Sequence, residues 1–277
     1  EVADRGEFAY LDGSPIPSQP IQNGTLLELD LPADGFRLFR LISPCHCEQR
    51  TQPPICHPEQ SGKSQADEAY FKNAFFTLKT DPDTGILEVL DPSGQPIINI
   101  GFTYKDYDMR ADHVEATENG SLCQTVSVSG KLVKDGKPAA AFTAAVELAA
   151  HSGVLRFKTT LEPFEALHGD AWENSVKAAF SFAAPVQSVL RSCSNIVEET
   201  KLEKFGSLYF AAVETECGTV NFYNQGSKLY RFSGNTLENV LLTEREPMRT
   251  FEFALELNAP ATPAQALKAL TPCLIKK

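Results

Sequence analysis

The sequence predicts an all-β protein, an antiparallel sandwich with a small β segment before it and a short helix after it. From Tyr70 onwards, short apolar runs alternate with turn residues at intervals of about 8–12 positions, which is typical of sandwiches and barrels. Phe is abundant, with 18 among 277 residues, and aromatic residues suit a pleated, half-buried surface. Helices do not alternate with these runs, as they would in a parallel sheet.

The chain is predicted to divide into three parts. Residues 1–43 hold a small β segment, in which Asp34-Gly35 is a hairpin signal between two apolar runs. Residues 44–69 form a connector without apolar periodicity, which is long for a loop inside a compact domain. Residues 70–277 form the large sandwich domain. Its predicted strands lie in NAFFTLKTD, ILEVLD, QPIINIGFTY, SLCQTVSVSGKLV, AAAFTAAVEL, VLRFKTTLEP, VKAAFSFAA, SLYFAAVET, GTVNFYNQ, KLYRF, NTLENVLL and RTFEFALEL.

Turn and cap residues mark element boundaries. Residues 134–137, Lys-Asp-Gly-Lys, predict a tight hairpin because Asp and Gly tolerate the positive φ angles of such turns. Thr262 stands at an N-cap position, Pro263 at the first helical position and Gln265 three residues after the cap, which predicts a helix start. Pro272 should stop this helix.

The composition excludes some partners. Twenty-five basic and 36 acidic residues give a net charge of −11. An acidic surface repels phosphate backbones and anionic lipid headgroups, so we expect no nucleic-acid and no membrane partner. No apolar run reaches the roughly 20 residues that span a bilayer.

Residues 44–58, PCHCEQRTQPPICHP, carry three of the seven cysteines and two of the five histidines. Thiolate and imidazole groups are the ligands of tetrahedral zinc. A long connector gains stability from being pinned, so any metal here is expected to be structural. The spacing differs from the common zinc patterns, and a proline-stiffened loop with free or disulfide-bonded thiols is the alternative. The candidate ligands are Cys45, Cys47, Cys56 and His57.

Other constellations give no self-evident active site. His168-Gly169-Asp170 places an imidazole and a carboxylate in one loop, but a catalytic pair needs a third group and a pocket. The carboxylate pairs Asp106/Asp108 and Glu214/Glu216 would share a strand face, as acidic residues on solvated faces commonly do. The sequence has no nucleophile elbow, no phosphate-binding glycine loop and no H-E-x-x-H motif.

An aromatic stretch suggests a different chemistry. Residues 222–232, FYNQGSKLYRF, combine aromatic rings with amide, ammonium and guanidinium groups. Aromatic faces and planar hydrogen-bonding groups together bind sugar rings. The alternative is an ordinary hairpin whose aromatic residues form cross-strand pairs.

Five segments in this order resemble the C-terminal β-sandwich of glycoside hydrolase family 38, the α-mannosidases. NAFFTLKTDPDTGILEVLDPSG (73–94) resembles the opening of the large sandwich, and LELDLPADGFRLFRL (27–41) resembles the strand pair before it. WENSVKAAFSF (172–182), VNFYNQGSKLYRFSGNTLENVLL (220–242) and the closing FEFALEL are similar to later strands.

The resemblance implies a galactose-mutarotase-like supersandwich. Family members cleave α-mannosides with retention, using an Asp nucleophile and a zinc ion in an N-terminal barrel, and retention requires two carboxyl groups close together. Nothing here matches that barrel, so we expect no catalytic residue and no hydrolysis by this chain alone. The implied partners are an α-mannoside and the enzyme's own barrel, and the family zinc is expected in the barrel. A sugar-facing role is implied for Tyr223, Asn224, Lys228, Tyr230 and Arg231.

The sequence also departs from the family pattern, since Thr243 stands where relatives often carry an Arg. Two other functions stay open on the same superfold. A free-standing aldose epimerase or polysaccharide lyase would need an imidazole from His168 or His113 beside a carboxylate. The other alternative is a non-catalytic carbohydrate-binding module.

Overall fold

A computed structural model of the chain describes residues 7–10, 14–21, 24–29, 39–42, 69–194, 196–244 and 246–270. The Asp34-Gly35 hairpin signal and almost all of the 44–69 connector lie outside the described residues. The described part forms two compact units. The first holds the residues up to 42 together with 120–122, and the second holds the remaining residues from 69 to 270.

The first unit contains two small antiparallel sheets. In one, β1 (Glu7–Tyr10) pairs with β4 (Phe39–Ile42). In the other, β2 (Ser18–Ile21) pairs with β3 (Gly24–Leu27). A small apolar cluster forms within this unit from Phe8, Ile16 and Leu27.

The second unit is built from two larger antiparallel sheets. The eight-stranded sheet runs, from edge to edge, β16 (Lys204–Gly206), β19 (Leu229–Ser233), β20 (Thr236–Leu242), β13 (Val176–Phe182), β8 (Pro96–Thr103), β7 (Leu87–Leu90), β6 (Thr77–Thr80) and β5 (Ala69–Lys72). The nine-stranded sheet runs β15 (Ile196–Glu199), β14 (Val186–Cys193), β17 (Phe210–Thr215), β18 (Gly218–Asn224), β21 (Thr250–Leu257), β12 (Val154–Pro163), β11 (Lys137–Ala149), β10 (Cys123–Lys134) and β9 (Asp108–Asn119).

Alternating apolar side chains of the two sheets meet in one core, which makes this unit a β-sandwich. Aromatic rings join the layers: Phe180 of β13 lies 4.5 Å from Phe222 of β18, centroid to centroid. Phe102 of β8 lies 5.2 Å from Phe142 of β11. The predicted all-β antiparallel sandwich is therefore confirmed.

The β10–β11 turn and the C-terminal helix form where the local sequence predicts them. Asp135 and Gly136 have φ angles of 51° and 77°, so β10 and β11 are joined by the tight hairpin that the sequence predicts. The helix α1 (Pro263–Leu270) begins at the predicted proline, and the backbone N–H of Gln265 donates to Thr262 Oγ1 at 3.2 Å. It ends two residues before Pro272. No helix in the described ranges is long and apolar enough to cross a membrane.

The helix packs on the outer face of the nine-stranded sheet. Its buried residues Ala266 and Ala269 contact a small apolar cluster that is separate from the main core. The sheet residues of that cluster are Val154, Phe210, Ala212, Tyr223 and Ala254. The helix therefore covers this part of the sheet, and its position determines the surroundings of Tyr223.

Candidate carbohydrate-contact site

The aromatic stretch 222–232 is not a hairpin. Its first strand, β18, belongs to the nine-stranded sheet and pairs with β17 and β21. Its second strand, β19, belongs to the eight-stranded sheet and pairs with β16 and β20. The alternative of an ordinary hairpin with aromatic cross-strand pairs is therefore wrong, because the chain crosses between the sheets at this turn.

Tyr223 lies beneath α1 and is 1% exposed. Its hydroxyl donates a 2.7 Å hydrogen bond to Glu256 Oε2, and Gln265 Nε2 donates to both carboxylate oxygens at 2.8 and 2.9 Å. Burial, and then the hydrogen bond to the neighbouring carboxylate, raises the pKa of Tyr223 above its usual range. The ring of Tyr223 offers no face to a sugar in this structure.

Tyr230 and Asn224 meet inside the sandwich, where both are buried. Asn224 Nδ2 donates to the Tyr230 hydroxyl oxygen at 2.7 Å, and the ring of Phe205 stacks on Tyr230 at 5.7 Å. Desolvation raises the pKa of Tyr230 above its usual range. These two predicted site residues are brought together, but away from solvent.

Lys228 is exposed in the turn between β18 and β19. Asn239 Nδ2 donates to the carbonyl oxygens on either side of it, those of Ser227 and Leu229, at 2.8 and 3.1 Å. The turn backbone is therefore held by Asn239, while the residue Lys228 itself is exposed.

Arg231 points outward from the eight-stranded sheet, beside Lys204 of β16 and Glu238 of β20. Its Nε and Nη2 both lie 2.9 Å from Glu203 Oε1, and its Nη1 lies 4.0 Å from Glu173 Oε2. Glu173 also accepts a 2.9 Å hydrogen bond from Lys204 Nζ. That hydrogen bond is the main reason why the pKa of Glu173 is lowered.

The only tryptophan of the chain, Trp172, completes this group. Lys204 Nζ lies 5.8 Å from the centroid of its ring, within the range of a cation–π contact. We name the set Trp172, Glu173, Glu203, Lys204 and Arg231 the Arg231 cluster. Four of its five members were missed by sequence reasoning, because they lie far from Arg231 along the chain. In the sequence, the single Trp next to Glu173 was the one feature that could have indicated these residues.

An ion pair between a buried lysine and a partly buried glutamate lies next to the Arg231 cluster on the same sheet face. Lys177 Nζ of β13 lies 3.0 Å from Glu238 Oε2, with the two side chains 7% and 21% exposed. Glu238 is the cross-strand neighbour of Arg231. This face therefore presents hydrogen-bond donors and acceptors close together.

The two candidate histidines lie on exposed surfaces. His168 Nδ1 lies 3.4 Å from Glu244 Oε1, while Asp170 instead accepts a 2.7 Å hydrogen bond from the backbone N–H of Trp172. His113 Nε2 on β9 lies 3.1 Å from Glu115 Oε2. The side chains of His168 and His113 are 76% and 63% exposed.

Three of the four carboxylates in the candidate pairs have other partners. Asp106 binds Lys134 and Asp108 lies near Arg110, whereas Glu214 accepts a hydrogen bond from Ser188. Within the described residues, no group of three or more His, Cys, Asp or Glu side chains could hold a metal ion. The predicted zinc ligands Cys45, Cys47, Cys56 and His57 lie outside the described residues, so that site stays a prediction.

No protein-family model matches the sequence, and no curated protein matches it. Solved structures do match. An α-mannosidase from Enterococcus faecalis V583 has a TM-score of 0.61 at 13% identity, covering 95% of this chain and 39% of that chain. A glycosyl hydrolase family 38 protein from Enterococcus faecalis has a TM-score of 0.60 at 13% identity, covering 95% and 40%. A galactose mutarotase related enzyme from Lactobacillus acidophilus has a TM-score of 0.38 at 8% identity, covering 70% and 98%.

The first two comparisons agree in extent as well as in fold. Nearly the whole of this chain superimposes on them, yet it spans only about two-fifths of their length. The likeness predicted from five short segments is therefore confirmed at the level of the fold. The chain has the fold of one part of a family 38 glycosyl hydrolase, the β-sandwich part.

Proposed function

We propose that the chain is the C-terminal sandwich portion of a family-38-like α-mannosidase, in which it supports a separate catalytic barrel and contacts the sugar. The observation that carries this proposal is the match of 95% of the chain to about two-fifths of an α-mannosidase. In the intact enzyme, hydrolysis with retention would take place in the barrel, which supplies the nucleophile and the zinc ion. Among the described residues, no group of three or more His, Cys, Asp or Glu side chains could hold that zinc ion.

The Arg231 cluster is the part of this chain that we assign to sugar contact. Trp172 supplies an aromatic surface, Arg231 and Lys204 supply donors, and Glu173 and Glu203 supply acceptors. Salt bridges restrict the four charged side chains, and Lys204 lies over the ring of Trp172, before a ligand arrives. Such preorganisation reduces the entropic cost of binding. Tyr230 and Asn224, joined by a hydrogen bond inside the sandwich, would stabilise the sheet behind the contact surface. Tyr223, on the other sheet beneath α1, is not assigned to sugar contact. Lys228 would lie at the margin of the contact surface.

Two measurements test the proposal. With zinc present, the isolated chain should not hydrolyse an aryl α-mannoside above the protein-free rate, and robust turnover would contradict it. Because Trp172 is the only tryptophan, its indole N–H gives a single NMR signal, which should shift when methyl α-mannoside is added.

Variants then assign that shift to the cluster. Arg231→Ala should reduce the shift of Trp172, because the guanidinium donor is lost. Lys131→Ala removes a similarly charged side chain, paired with Asp112 on the other sheet, and should leave the shift unchanged. If the indole signal of Trp172 in the wild-type protein does not shift when the sugar is added, the Arg231 cluster is not the sugar-contact surface.

A further inference from the structure

A cleft of about 240 Å³ lies on the outer face of the nine-stranded sheet, beside the C-terminal end of α1. It is remote in the fold from the Arg231 cluster, which is on the other sheet. The strands β10, β11, β12 and β21 form its floor. The cleft belongs to no site described so far.

The cleft follows from the strand register. Two neighbouring rows of outward-facing residues run across β11, β12 and β21. In the first row the cross-strand neighbours are Glu147, Arg156 and Ala254. In the second row they are Ala145, Lys158 and Glu252. Outward positions directly opposite each other have Cβ atoms about 4.5–5.5 Å apart. Ala145 and Ala254 lie at opposite ends of the two rows, and their side chains are only methyl groups. The surface is therefore lower at these two positions than at the four long charged side chains around them.

The end of α1 closes one side. Arg156 Nε donates to the carbonyl oxygen of Ala269 at 3.2 Å, and Gln225 Nε2 donates to that of Leu270 at 3.2 Å. These carbonyl groups are the unpaired acceptors of a helix C-terminus, and the two side chains satisfy them. The helix end therefore holds Arg156 and Gln225 in place at the edge of the cleft.

The charges in the cleft balance, with two carboxylates and two cations. The ion pairs are long: Arg156 Nη1 lies 3.8 Å from Glu147 Oε1, and Lys158 Nζ lies 3.9 Å from Glu252 Oε1. Charge-assisted hydrogen bonds are usually about 2.7–2.9 Å. Each group therefore keeps hydrogen-bonding capacity for a further partner.

From this geometry we propose that the cleft binds one ring of a neutral sugar. A balanced set of charges favours neither an anion nor a cation, whereas hydroxyl groups both donate to carboxylates and accept from guanidinium and ammonium groups. The volume is below the about 300–1,000 Å³ of drug-sized ligand sites, which suits a single ring. The choice of a sugar among neutral polyhydroxyl ligands rests on the proposed function.

A site-resolved titration tests the inference. In protein labelled with ¹³C at alanine methyl groups, methyl α-mannoside should shift the signals of Ala145 and Ala254. Ala141 lies on the same face of β11 but outside the cleft, so its signal should stay in place. This readout is independent of Trp172, which reports the Arg231 cluster.

Two variants complete the test. Ala145→Leu fills the depression and should weaken binding at the cleft at least about tenfold, as should the loss of a charge-assisted bond in Glu252→Gln. Ala141→Leu makes the same change on the same strand face and should leave binding unaltered.

The outcomes separate the two proposals. Shifts of Ala145 and Ala254 with another neutral sugar but not with a mannoside would support the cleft and count against the proposed function. If no neutral sugar shifts them, or if the zwitterion glycine shifts them and sugars do not, the cleft inference is overturned. The Trp172 titration and the hydrolysis assay would still decide the proposed function.

Discussion

The hydroxyl of Tyr223 donates a 2.7 Å hydrogen bond to Glu256, and both side chains are buried beneath α1. With Gln265 donating to the same carboxylate, the glutamate receives hydrogen bonds from a strand and from the helix. A buried carboxylate is tolerated only when it is hydrogen-bonded. This relationship therefore ties α1 to the sheet.

Tyr223→Phe should lower the free energy of unfolding by about 1.5–3 kcal/mol, because a buried carboxylate loses one of its donors. Urea unfolding followed by circular dichroism measures this. Tyr107→Phe, at a half-exposed tyrosine between β8 and β9, is the matched control and should change stability by less than about 0.5 kcal/mol. Equal stability of both variants would show that the hydroxyl of Tyr223 contributes nothing.

The buried tyrosines also predict the alkaline limit of the fold. Burial raises the pKa of Tyr223 and Tyr230, so the folded protein retains these protons at a pH where the unfolded chain has lost them. Their contribution is fully present below the unfolded pKa of about 10 and is lost as the pH rises above it. We expect tyrosinate absorbance from these two residues only together with unfolding. Ionisation of all seven tyrosines before any change in circular dichroism would contradict this.

The Lys177–Glu238 ion pair should be sensitive to removal of one partner. Lys177→Met should destabilise the protein by about 2–4 kcal/mol, because the partly buried carboxylate of Glu238 loses its cation. The double variant Lys177→Met/Glu238→Leu should recover most of this loss. Lys131→Met, which breaks an exposed pair with Asp112, should cost at most about 1 kcal/mol. Thermal and urea unfolding of the four proteins gives the comparison, and a Lys177→Met protein as stable as Lys131→Met would refute the expectation.

The Cys/His segment 44–58 predicts a structural metal. Elemental analysis of the purified chain should find about one zinc per molecule, since four candidate ligands make one tetrahedral site. Chelation, or Cys45→Ser with Cys56→Ser, should remove the metal while the sandwich keeps its unfolding transition. A metal-free protein with freely reactive thiols at Cys45, Cys47 and Cys56 would identify a proline-stiffened loop instead.

Local patterns predicted the strands that are apolar on one face. The runs that became β10, β11, β12 and β21 alternate apolar and polar residues, so the pleat alone assigns one face of each to the core. The strand β9 was missed because it is an edge strand with most side chains exposed. The strands β14 and β16 were also missed, since Val186–Cys193 alternates weakly and Lys204–Gly206 is three residues long.

The cap residues of α1 predicted where the helix begins but not which partner the Gln265 side chain binds. Thr262, Pro263 and Gln265 correctly placed the start of α1. In a capping box the Gln side chain returns to the cap residue, but here Gln265 donates to Glu256 on the sheet instead. The cap residues determine where the helix begins, whereas the sheet beneath determines what its side chains bind.

By itself, the sequence determined an acidic antiparallel β protein, its main turns, its terminal helix and its likeness to the family 38 sandwich. These properties depend on residues that are close together along the chain. Only the tertiary structure showed that Tyr223 and Arg231 lie in different sheets, because β18 belongs to the nine-stranded sheet and β19 to the eight-stranded sheet. It also brought Arg231 to Glu173 and placed Glu147, Arg156, Lys158 and Glu252 around one cleft. Those neighbours are set by the register of strands that are distant in sequence, and strand pairing is fixed only when the two faces of the core close together.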